Sequence, residues 1–129
     1  MKAHTTDLPE LPQIIHRLLF DGGFTAHPDG SPEPDHGYYV TLPGHDAQLS
    51  VTAEDLPQQI LTYYRRKRYV LRHPWRRFGG WVDRSTLYLS INIHVETLAE
   101  ATKLGKEYDQ RAIWDIANKG IIFLYGDDV

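Results

Sequence analysis

The chain contains no cysteine. That excludes a disulfide framework, a thiol nucleophile and Cys-ligated zinc, and it fits a reducing, cytoplasmic setting. No apolar run approaches the roughly eighteen residues of a membrane span, and the polar start Met1-Lys2-Ala3-His4-Thr5-Thr6-Asp7 is not a signal peptide. The expectation is a soluble protein with no membrane partner. Chemistry-bearing signatures are scarce as well. No Gly-x-Ser-x-Gly elbow is present, no zinc-finger spacing, and no RNP-type or heptad-bearing basic region. Gly22-Gly23 and Gly79-Gly80 lack the continuation of a phosphate loop, and read instead as a helix stop and as a bulge or close approach. The absence that says most is of acids: no Asp or Glu occurs between Leu56 and Val82.

Into that gap falls half the positive charge. Arg65, Arg66, Lys67, Arg68, Arg72, Arg76 and Arg77 are seven of the 14 Lys and Arg residues, interleaved with Tyr63, Tyr64, Tyr69, Trp75 and Phe78. The whole chain carries a formal charge of −3, so the segment forms a local positive potential on a molecule that is otherwise acidic. Guanidinium groups make bidentate contacts to carboxylate and phosphate, and Trp beside Arg is a frequent binding anchor. Arg65, Arg66, Arg68, Arg72, Trp75, Arg76 and Arg77 are therefore the expected partner-binding residues. The partner would be an anionic macromolecule, either an acidic protein surface or a nucleic acid. Mild overall acidity weighs against a dedicated DNA-binding protein. The plainer alternative is a solvated helix face whose long side chains cover apolar surface.

At 129 residues the expectation is one compact domain, 1–129, able to bury its own core. A first helix is announced by Asp7 and Glu10 at capping-box spacing, by Pro9, and by Leu8, Leu11, Ile14, Ile15, Leu18 and Leu19, ending at Gly22-Gly23. Phe24 to His27 reads as a strand, the Pro-rich run 28–35 as a turn, and Gly37 to Leu42 as the return strand, with Ala47 to Val51 after it. A second helix runs from about Ala53 to Leu71, with Thr52 and Asp55 as its box and His73-Pro74 as its stop. Thr86 to Val95 alternates strictly, with Leu87, Leu89, Ile91, Ile93 and Val95 on one side and Thr86, Tyr88, Ser90, Asn92 and His94 on the other. It forms a hairpin with Phe78 to Asp83 across Arg84-Ser85. A third helix spans Thr97 to Tyr108, with Thr97 and Glu100 as its box and Leu98, Ala101, Leu104 and Tyr108 inward. Ala112 to Ile116 and Ile121 to Tyr125 form a last hairpin. The fold class is α+β: about seven mostly antiparallel strands packed with three helices.

Two further constellations compete with the basic segment. The polar face Tyr88, Ser90, Asn92, His94 holds residue types used in acyl transfer, but neighbours on one strand run parallel rather than converge. It reads as a solvent-facing surface, with a shallow ligand cleft, or a small hydrolase or ligand-binding enzyme using Ser90, Asn92 and His94, as the alternatives. Among the loop residues His27, Asp29, Asp35, His36, His45 and Asp46, hairpin loops would have to bring His27, His36 and Asp46 together to hold a metal. No helical spacing supports that, so no metal or cofactor is expected.

Finally, Gly22-Gly23-Phe24-Thr25, Gly37-Tyr38-Tyr39-Val40-Thr41-Leu42-Pro43-Gly44, Gly79-Gly80-Trp81-Val82-Asp83, Leu87-Tyr88-Leu89-Ser90, Leu104-Gly105-Lys106-Glu107-Tyr108-Asp109-Gln110 and Ala112-Ile113-Trp114-Asp115 form a pattern over about 22–125. It resembles a group of small uncharacterised proteins of actinobacterial genomes, plasmids and phages. The resemblance implies no activity and no catalytic residues. Its mobile-element association favours an accessory or inhibitory protein, not an enzyme, that works by binding.

Overall fold

Helical periodicity at the start of the chain becomes helix α1, Leu11–Phe20, in the computed structural model, which describes residues 8–28 and 30–125. Ile14 and Leu18 are its buried residues, and Gly22 at φ +84° supplies the left-handed exit that a side chain would resist. The expected cap at Asp7 lies outside the described residues. The strands are β1 (Gly23–Ala26), β2 (Tyr38–Thr41) and β3 (Ala47–Ser50), then β4 (Arg76–Asp83), β5 (Thr86–Val95), β6 (Ala112–Asp115) and β7 (Gly120–Phe123). Helix α2, Leu56–Leu71, follows β3, and α3, Leu98–Glu107, follows β5. The class is α+β, with one seven-stranded antiparallel sheet and three helices among the described residues.

Local signals hold at several ends. Thr52 and Asp55 exchange the two bonds of a capping box, Thr52 N–H to Asp55 Oδ1 at 2.7 Å and Asp55 N–H to Thr52 Oγ1 at 3.3 Å. The helix proper starts just after them, with Pro57 in its first turn, where no donor is needed. Thr97 caps α3 by accepting from Glu100 N–H at 3.2 Å. Leu98, expected inward, is 45% exposed. It precedes the turn whose Ala101 and Gly105 face the sheet, and Gly105 lies so near Leu124 and Ile113 that a Cβ there would stand 2.5 and 3.2 Å from them.

Strand order is β1-β4-β5-β2-β6-β7, with β3 also on β5. β2 is therefore not the return partner of β1. β1 pairs with β4, from Gly23 opposite Trp81 to Ala26 opposite Phe78, while β2 lies between β5 and β6. The connection holds Pro28, Pro32 and Pro34, which cannot donate to a ladder. It runs across the sheet as a strap, leaving room for the β4–β5 hairpin. That hairpin keeps unbroken register from Arg76 opposite Ile93 to Asp83 opposite Thr86, so no bulge occurs at Gly79-Gly80. Close approach explains the pair instead: a Cβ on Gly79 would lie 2.8 Å from the Phe24 carbonyl oxygen.

All three helices cover the same face. Leu87, Leu89, Ile91 and Phe78 meet α1 and α2 in the larger apolar cluster, while Val40, Ile113 and Leu124 meet α3 in the smaller. Opposed residues in an antiparallel ladder share a side, so the register of Val40 against Ile93 puts both clusters on one side. Among the described residues no helix covers the other. Among them, too, no helix is long and apolar enough to cross a membrane.

Candidate functional site: a basic helix face and an open sheet face

Leu56, Ile60, Tyr63, Tyr64, Val70 and Leu71 bury one side of α2, and Leu61, in its first half, is buried on the other. At about 100° per residue, Arg65, Arg68, Tyr69 and Arg72 fall within roughly 100° of each other on the outer side, with Arg66 beside them. The Arg68 guanidinium lies over the buried Tyr64 ring, 5.4 Å from its centroid. Tyr69 is 60% and Trp75 62% exposed. Among the described residues Arg66 and Arg72 make no ion pair. Arg76 is half-buried and bonds back to the helix, Nη1 to the Val70 carbonyl at 3.4 Å.

Arg77 does not belong with them. It is 8% exposed and donates to the carbonyl oxygens of Ser31 at 3.4 Å and Pro32 at 3.0 Å. The reason is register: opposite Asn92 on β5, its side chain stands on the sheet face away from α2. The expected seven-residue surface is thus divided by the sheet, and Arg77 pins the strap.

A second strap anchor is His94, whose Nε2–H donates to the His36 carbonyl at 2.9 Å. Gly37, at φ +91°, makes room for it, since a Cβ would come within 2.5 Å of His94 Nε2. This commits Nε2 as a donor. Ser90 and His94 are also four residues apart on one strand, about 13 Å, so no Ser–His pair exists here. His36 is held by Asp35 at 2.9 Å and Glu96 at 3.0 Å. Its pKa is raised, first by the bond to Asp35 and then by that to Glu96. His45 meets Lys67 at 3.2 Å, and burial followed by the Lys67 and Arg76 charges lowers its pKa. His27, His36 and Asp46 are not brought together: no group of three metal-ligating side chains occurs among the described residues, and Asp29 lies outside them.

Beyond the strap the sheet is open. Trp81 opposes Tyr88 with the rings stacked at 4.8 Å and 14°; Trp114 opposes Tyr39 on one side and Ile121 on the other. Trp81 is 51% and Trp114 39% exposed. Between them lies a depression of about 260 Å³, floored by Thr25, Thr41, Gly79, Ser90 and Asn92. It shares Thr41, Trp81 and Ser90 with a depression of about 490 Å³ that continues past Tyr88 to Gln48. The opening arises at the break between β2 and β3, where Pro43 and Gly44 (φ +87°) turn the chain away and leave Ser90 without a cross-strand side chain over it. Tyr39, buried at one end, has a hydroxyl that makes no hydrogen bond, with the Glu33 carboxylate near it. Burial first, and Glu33 second, push its pKa well up.

Sequence reasoning located Ser90 and Asn92 on this face but missed Tyr39, Thr41, Trp81 and Trp114. Their signal was two tryptophans and paired β-branched or small polar residues at alternating strand positions. No family model, curated protein or solved structure matches this chain.

Proposed function

We propose that the protein is a non-enzymatic binding module, an accessory or inhibitory protein that contacts an anionic macromolecular partner through α2. The observation that carries this reading is the grouping of exposed Arg66, Arg68 and Arg72 with half-buried Arg65 on the second half of α2, with Tyr69 among them and Trp75 exposed beyond the helix end. Exposed cations attract an anionic surface over about a Debye length, roughly 8 Å at physiological salt, and the two aromatics add contact area that the cations lack. An acidic protein surface is the favoured partner, because the chain outside this segment is acidic and would repel an extended polyanion.

The test is capture from the encoding organism with wild type, Arg68→Glu/Arg72→Glu and Trp75→Ala, each with and without nuclease. A partner retained after nuclease, lost with the double reversal and weakened in Trp75→Ala supports the reading. Loss on nuclease treatment would transfer it to nucleic acid, whose binding should also fall steeply with salt through counterion release. Capture indifferent to both variants would end it.

A further inference from the structure

The open sheet face differs from α2 in chemistry as well as position, and it supports a site of its own. We propose that it binds a neutral carbohydrate, with one pyranose ring in the depression between Trp81 and Trp114 and the saccharide continuing over the Trp81–Tyr88 stack.

Three features select that ligand. The first is the floor. Thr41 Oγ1–H donates to Asn92 Oδ1 at 3.0 Å, which fixes the amide and leaves Asn92 Nδ2 turned toward the notch at Gly79, 3.6 Å from where a Cβ would sit. Thr25 Oγ1 is 3.3 Å from the same point, and Ser90 lies on the same floor. The floor is thereby lined by a fixed donor and by hydroxyls that both donate and accept, brought close together because Gly79 carries no side chain. Sugar hydroxyls, which do both, match such a set; an apolar ligand would leave it unpaired. The unpartnered Tyr39 hydroxyl adds one more polar group at the edge, and buried polar groups of this kind are normally paired.

The second feature is the aromatic walls. The C–H bonds on one face of a pyranose carry partial positive charge and pack against the electron-rich face of an indole. Trp81 is held flat by Tyr88, so little ordering remains to be done on binding.

The third is charge. No charged side chain lines the smaller depression, and Asp46 is the one charged group lining the larger. Bases would stack on these rings equally well, but a nucleotide brings phosphate, for which cations are the usual partners. Neither of these two depressions offers a cation for it, and in a third, which shares Phe24, Thr25 and Trp114, Arg17 and Lys119 are balanced by Glu33 and Asp35. Together the two depressions reach the size of small-ligand clefts, roughly 300–1,000 Å³, enough for more than one sugar ring.

The experiment is a heteronuclear NMR titration of the full chain, following the three indole N–H signals. The probes are cellohexaose, maltohexaose, mannohexaose and N-acetylchitotetraose, with adenosine monophosphate as comparison, all at millimolar concentration. The expected result is that at least one oligosaccharide shifts the Trp81 and Trp114 signals but not that of Trp75, and that Asn92→Ala and Trp81→Ala each weaken its binding at least about tenfold, 1.4 kcal/mol. Ser90→Leu, which fills the floor from a half-buried position, should abolish binding; it covers the case in which Trp81→Ala loses its fold. The proposal is overturned if none of the four saccharides moves either indole, if binding survives both Asn92→Ala and Ser90→Leu, or if only adenosine monophosphate binds. The reading of α2 stands or falls separately, since neither depression includes a cation of that helix.

Discussion

The outer face of α2 and the open face of the sheet are both the solvent halves of amphipathic elements, yet they differ in chemistry. On α2 the functional groups sit at the tips of long, rotamer-rich stems, and Arg66 and Arg72 have no ion-pair partner among the described residues. Such a face acts at a distance and tolerates variation in what it meets, because charge attraction falls off slowly and has little directionality. On the sheet the groups are short, set two residues apart by the pleat, and oriented by neighbours: Asn92 by Thr41, Trp81 by Tyr88, His94 by the His36 carbonyl. A face of that sort acts only in contact and discriminates by shape. The strap separates the two regimes, since it crosses the sheet and not the helix.

The largest effects should come from crossing either element to its buried side. Leu89→Ala and Ile91→Ala should each cost about 2–5 kcal/mol through core cavities, and Ser90→Ala within about 0.5 kcal/mol, as read by urea titration. Equal losses would mean that the sheet is packed on both faces. The same contrast holds around α2. Tyr64 packs against Phe78 with ring centroids 6.1 Å apart, so Tyr64→Ala should cost on the order of 3 kcal/mol, whereas Trp75→Ala should leave the unfolding midpoint near wild type. A Trp75→Ala midpoint as low as that of Tyr64→Ala would assign the aromatic to packing.

An intermediate effect belongs to the strap. Arg77→Ala removes the donors to Ser31 and Pro32 and should cost about 1–3 kcal/mol, with faster amide exchange over 30–37 and at Tyr39. A neutral outcome, with exchange unchanged, would show that Arg77 is dispensable to the strap and reopen it as a binding residue.

The smallest effects are protonation equilibria, and they should take opposite signs on the two sides. His36, raised above 6.5 by Asp35 and Glu96, contributes stability that is complete below pH 6.5 and lost as pH rises through its folded value. His45, lowered by burial and by Lys67 and Arg76, works the other way: stability is lost as pH falls from 6.5 through its folded value. An NMR titration should find His45 ionising at the lower pH. Asp35→Asn should bring His36 back toward 6.5, and an unmoved His36 would remove Asp35 as the cause.

Most elements were legible in the sequence because their information is local. Alternation over Thr86–Val95, the capping pairs Thr52/Asp55 and Thr97/Glu100, and the left-handed glycine at 22 each act within a few residues. The pairing of β1 was not legible: a proline-rich connection of this length is compatible with either a hairpin or a strap, and only competition from the β4–β5 hairpin decides between them. Arg77 shows the same limit at the scale of one residue. In the sequence it closes a basic run; on the sheet, one step past Arg76 reverses its side and gives it two carbonyls to hold.

By itself, then, the sequence determined which stretches fold as helix or strand, which side of each is apolar, and where positive charge accumulates, because periodicity, capping and composition act along the chain. Tertiary structure alone decided that the three helices share one face, that a strap buries Tyr39 and His94 on the other, and that Trp81 and Trp114 flank a polar floor made from strands β1, β2, β4 and β5. Those outcomes depend on register between segments as far apart as Thr41 and Asn92, and a one-residue slip in any pairing would have turned the same side chains to the opposite face.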